Sequence, residues 1–241
     1  MNRVCQLQYA IIITSDARQG LYETLSLLFQ ETLAINVSYN TKCRYTQNYI
    51  TITNFTFSHI GRRMVIIQLV VIIYVQSFVM VDWNVLTPGS VVGPVSVYNG
   101  EQYYITISVK KDAKTGDWFL YREDLGEAKL IGYWPKSLFT TLADRADAVS
   151  WGGMVSYDTD DAGPPLGSGH HASELERKAA YFKNIEIFYS DGKSYDLIDG
   201  AQDRFADKEE CYTISKLVDS SKYGRHDGHL FYFGGPGGCD G

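Results

Sequence analysis

The sequence predicts an all-β protein, an antiparallel β-sandwich, on three observations. The 241 residues include 22 Gly and 18 Tyr but only 6 Pro, the composition of short strands joined by glycine turns. Apolar and polar residues alternate over short runs, most clearly downstream of residue 77. The dipeptides Asn99-Gly100 and Asp191-Gly192 fall between such runs, where tight hairpins place them.

Composition divides the chain into residues 1–76 and 77–241. The first part is poor in turn glycines, Gly20 and Gly61 being its only two, and stays unassigned. Residues 22–33 carry Tyr22, Leu25, Leu28, Phe29 and Leu33 at helical spacing. Residues 49–57 alternate Ile50, Ile52 and Phe55 with polar neighbours, as an edge strand does. Residues 64–75 form the most apolar run, and its Val and Ile content suits a buried strand. A membrane reading extends that run to Val81 with Arg62-Arg63 as the flank, but Gln68, Gln76 and Ser77 interrupt it. A secretory leader is not evident, because residues 9–14 are too short for its apolar region.

The second part reads as strands and turns in order. Residues 91–97 lead to the Asn99-Gly100 turn, and residues 102–109 return from it. Lys114-Thr115-Gly116-Asp117 makes the next turn, before a strand over 118–122. From Gly126 the chain runs through Leu130 and Ile131 into Tyr133-Trp134-Pro135. Residues 137–143 suit a short helix with Ser137 as its N-cap. Strands over 148–156, 181–189 and 230–233 complete the list.

Charge removes one functional class. With 22 basic and 28 acidic residues the net charge is -6, and no Lys/Arg cluster marks a nucleic-acid partner. None of the four cysteines forms a C-x-x-C, so zinc and dithiol chemistry have no support, and no cofactor or metal is expected. Cys211 and Cys239 bracket the C-terminal segment, and a bridge there would close a loop worth ~3–4 kcal/mol in the loop-entropy model. Ser168 beside His170 departs from the G-x-S-x-G order of a nucleophile elbow and reads as a turn residue. His170-His171 with Asp158, Asp160 and Asp161 reads as a solvated loop rather than a metal site.

The pieces Gly132-Tyr133-Trp134-Pro135 with Leu138-Phe139, Trp151-Gly152-Gly153 and Gly167-Ser168-Gly169-His170 keep a fixed order. Lys178-Ala179-Ala180-Tyr181-Phe182, Cys211-Tyr212 and the run from Phe231 to Gly237 follow them. Together they resemble the neprosin family, plant secreted glutamic endopeptidases that cut after proline, over about two-thirds of the chain. The resemblance implies a two-sheet β-sandwich, secretion and a Cys211–Cys239 bridge. It also implies a catalytic pair of glutamates, and here the sequence departs from the family. Met154 stands where the family's W-G-G-E pattern has its Glu, and residues 1–76 hold no strand of the form that carries the other. The expectation is therefore a neprosin-like protein without peptidase activity, either a truncated product or a non-catalytic relative, with the sandwich incomplete unless residues 1–76 supply replacement strands. The alternative expectation is a binding sandwich in which Tyr133, Trp134 and Trp151 stack on a proline-containing peptide or a cell-wall glycan.

Overall fold

The computed structural model describes residues 5–17, 21–29, 59–60, 63–64, 78–86, 94, 96–157, 162–199 and 202–240. Its regular elements are β-strands and three short 3-10 turns. In chain order the first strands are β1 (Cys5–Ala17), β2 (Leu21–Phe29), β3 (His59–Ile60), β4 (Arg63–Met64) and β5 (Val79–Met80). Next come β6 (Ile107–Lys111), β7 (Trp118–Arg122), β8 (Lys129–Trp134) and β9 (Ala148–Ser156). The last are β10 (Ala180–Phe182), β11 (Thr213–Ile214), β12 (Val218–Asp219) and β13 (His229–Gly234). All pairings between these strands are antiparallel.

One sheet has the order β5-β8-β7-β6. Alternation along β7 buries Trp118 and Leu120, while Phe119 and Tyr121 lie on the other side and stack on one another. A bulge in β8 skips Ile131 in its pairing with β7. The freed Ile131 carbonyl accepts from the amides of Val81 and Asp82, so the irregularity leaves no orphan acceptor. Gly132 is required here, because a Cβ would meet the Val79 carbonyl at 2.4 Å and the Phe78 ring at 2.5 Å. Phe78, Val85, Leu142 and Trp134 close this core around Leu120 and Ile131.

A second sheet centres on β13, which pairs with β10, β11 and β12. Its Leu-Phe-Tyr-Phe run is buried on both faces. Phe231 and Phe233 pack with Leu166, Ile185 and Leu217, and Leu230 and Tyr232 pack with Ala172 and Ala179. Cys211 and Cys239 are disulfide-bonded within the first of these clusters, their Cα atoms 6.0 Å apart.

A third sheet has the order β2-β1-β9. β9 ties the layers together: Val149 packs against the Trp118 core, and Trp151 and Val155 against the Phe233 core. Residues 1–76 thus contribute two long strands to the sheet that contains β9.

Several elements differ from the sequence reading. Residues 21–29 are strand rather than helix: Leu25, Leu27 and Phe29 also fit a period of two, and pairing with β1 decides between the periods. The helix expected over 137–143 is only the 3-10 turn Lys136–Leu138, with Pro135 rather than Ser137 at its N-cap and Phe139 already extended. The strand over 102–109 starts at Ile107, and the one over 181–189 ends at Phe182 with an isolated bridge at Phe188. Residues 49–57, 65–77 and 91–93 lie outside the described residues. No helix among the described residues is long and apolar enough to cross a membrane.

Candidate functional site

The register of β9 against β1 sets the surroundings of Met154. Leu7 pairs with Met154, Gln6 with Val155 and Cys5 with Ser156. The register then shifts, and Ala10 pairs with Gly152, so β1 carries one extra residue beside this point. The acidic residues of this three-stranded sheet are Asp16 of β1 and Glu23 of β2. Both stand at its far end, beyond the Thr14–Ala148 pair. The span from Ala148 to Met154 is about 20 Å at ~3.3 Å per residue. A carboxyl dyad needs its two groups close enough for one charge to hold the other's proton. This ladder brings no carboxylate to Met154.

Tyr133, Trp134 and Trp151 do not converge. Trp134 is 3% exposed, edge-on to Phe78 with ring centroids 4.6 Å apart, and offers a ligand no ring face. The expectation that it stacks on substrate is corrected accordingly: alternation in β8 turns it into the core. Tyr133, its neighbour, points the other way and stacks on Phe119 at 5.3 Å. Trp151 is half-buried against the Phe233 core.

Among the described residues a cleft of about 140 Å³ lies over β10 and β13. Its floor is Tyr181, Tyr232 and Leu230, the two tyrosines being register partners with ring centroids 6.3 Å apart. Arg225, Asp227 and Lys183 form one end. Ser220, 1% exposed, positions them: its hydroxyl accepts from the Asp227 amide at 3.0 Å, and its carbonyl accepts from the Arg225 amide. The Asp227 carbonyl accepts from the Asn184 amide, which sets Lys183 alongside. Glu176 and Arg177, from the turn before β10, and Gln102 and Tyr104 complete the lining.

The segments that carry these residues are clamped together. The Asn99 amide donates to the Arg177 carbonyl at 2.7 Å, and the Arg177 guanidinium donates back to the Asn99 and Gly100 carbonyls at 3.0–3.2 Å. Beside this clamp, Tyr98 stacks on His170 at 4.1 Å, and both contact Glu174, at 3.0 and 2.9 Å. Asn99, Leu175, Arg177 and Asn184 all have positive φ, and among the described residues they are the non-glycine residues that do. All four sit in the segments that frame the cleft, where stored backbone strain commonly marks a ligand site.

Charge in the cleft is largely paired. Arg225 holds Asp227 through two donors at 2.6 and 3.0 Å and reaches Glu176 at 2.7 Å. Lys183 donates to Asp227 at 3.1 Å and lies 3.9 Å from the Tyr104 ring centroid. Burial alone would raise the Asp227 carboxyl, but hydrogen bonds from Arg225 and Lys183 outweigh it and hold the group below the ordinary range. Burial raises the Tyr232 hydroxyl. The Glu174 carboxyl is lowered by its hydrogen bonds from His170 and Tyr98.

Sequence reasoning missed this cleft. Read locally, Glu174–Lys178 is an exposed charged turn, and nothing in the sequence ties Gln102 to Arg177 or Arg177 to Arg225. The readable signal was the Tyr181/Tyr232 pair, because both lie in short strand runs that must pair with something. Among the described residues no group of three or more His, Cys, Asp or Glu side chains could hold a metal ion. A family model described as Neprosin matches residues 73–236.

Proposed function

The chain belongs to the neprosin family, and on that premise we propose that it is a member without peptidase activity that acts by binding, in an oxidising extracellular compartment. The observation that carries the reading is the Leu7–Met154 pair. The family's chemistry asks for a carboxyl dyad, and the position of its W-G-G-E glutamate is a thioether whose ladder partner is an alkyl side chain. A thioether neither gives a proton to a leaving amine nor takes one from water. The retained function is recognition, and the cleft between Tyr104 and Arg225 is the feature built for it. The Cys211–Cys239 disulfide supports the compartment, since such bridges persist where thiols are oxidised.

The test is the full chain incubated with proline-containing peptides across pH 3–7, with products read by mass spectrometry. No cleavage is expected, together with a tyrosine or tryptophan fluorescence change on ligand addition. Cleavage that survives Met154→Ala would overturn the reading.

A further inference from the structure

Resting on that binding reading, we infer that the cleft between Tyr104 and Arg177 takes an anionic sugar, a single uronate residue or the uronate end of a longer glycan. The charge arrangement points to the anion. Arg225 and Lys183 are committed to Glu176 and Asp227. Arg177 is different: its guanidinium hydrogen bonds go to the carbonyl oxygens of Asn99 and Gly100, and no carboxylate among the described residues pairs with it. Neutral acceptors fix the guanidinium plane without cancelling its charge, which makes a preorganised receptor for a carboxylate.

The rest of the cleft suits a pyranose. Tyr104 is 59% exposed, and Lys183 occupies one side of its ring, leaving the other for the C–H face of a sugar. Glu176 and Asp227 supply carboxylate acceptors for hydroxyls, while the Gln102 amide nitrogen is held by the Val97, Gly100 and Glu101 carbonyls. Size selects the ligand further. At about 140 Å³ the cleft is well below the roughly 300 Å³ at which drug-sized sites begin, so it takes one ring rather than a peptide segment. Proline-rich segments dock in longer aromatic grooves, whereas the aliphatic lining here is Leu230 alone. The hydrogen bonds between Arg177 and the Asn99-Gly100 turn join these two segments before any ligand arrives.

The experiment is calorimetric titration of the full chain with digalacturonate, with the neutral digalactoside and with a proline-rich peptide, at low and high salt. The acidic sugar should bind, about tenfold or more tighter than the neutral one, and its affinity should fall with salt. Arg177→Gln should cost about tenfold for the acidic sugar and leave the neutral one unchanged, while Tyr104→Ala should weaken both. If Arg177→Gln does not fold, the salt dependence and the acidic-to-neutral ratio on the unaltered chain answer the same question. Equal binding of the two sugars, preference for the peptide, or no binding of the uronate by folded protein overturns the inference. Peptide cleavage in the same mixtures would instead sink the non-peptidase reading and leave the sugar site standing.

Discussion

Leu7 is the ladder partner of Met154, and the strand that brings it there comes from the part of the chain outside the family match. Restoring one carboxylate therefore does not restore a pair. Met154→Glu should show no turnover of proline-containing peptides between pH 3 and 7, because the nearest acids of that sheet, Asp16 and Glu23, stand at its other end. Measurable hydrolysis by this single variant would mean that a carboxylate from another layer completes the site.

Acid should lower the stability of the folded protein in part through Asp227. The folded Asp227 carboxyl titrates below its ordinary value. Its contribution is thus complete above the unfolded value near ~3.9 and is lost as pH falls through the lower, folded one. The chemical-denaturation midpoint should be level from pH 7 to about pH 5 and fall below about pH 4. Asp227→Asn should shrink that fall, and an unchanged profile would remove Asp227 from the account.

Removing the disulfide tests how far the β13 layer depends on it. Cys211→Ser with Cys239→Ser opens a loop of sequence separation 28, which should cost ~3–4 kcal/mol of unfolding free energy in the loop-entropy model. Equilibrium denaturation of both forms measures it, and a loss near zero would show that the Phe231–Phe233 packing closes the loop unaided.

Gly132→Ala is the sharpest probe of the other core. The added methyl meets the Val79 carbonyl and the Phe78 ring inside contact distance, so overpacking should cost ~1–3 kcal/mol. Leu120→Ala, at a site 1% exposed, should cost ~2–5 kcal/mol by leaving a cavity. Thermal melts of the two variants should both fall; a neutral Gly132→Ala would mean that β5 lifts away easily from β8.

What could be read from the sequence followed the strength of each local pattern. β7 and β9 were legible because alternation and flanking turns agreed, and β13 because a four-residue apolar run has to be buried. β2 was not, since its leucines satisfy both periods until β1 supplies hydrogen-bond partners. The family was legible from Gly132-Tyr133-Trp134-Pro135 and its successors, yet Trp134, part of that signature, is a core residue. The cleft was illegible because Gln102, Arg177 and Arg225 are each ordinary polar loop residues, and only the Asn99–Arg177 clamp and the β10–β13 pairing bring them together.

The placement of β13 has a consequence for how the molecule is made. β10, β11 and β12 all hydrogen-bond to β13, and all three precede it in the chain. During ribosomal synthesis these segments emerge before their common partner exists, and Phe182, Leu217 and Ile185 wait in water with open strand edges. Chaperones that shelter aromatic stretches thus have a defined client interval, which ends when Leu230–Phe233 clears the exit tunnel.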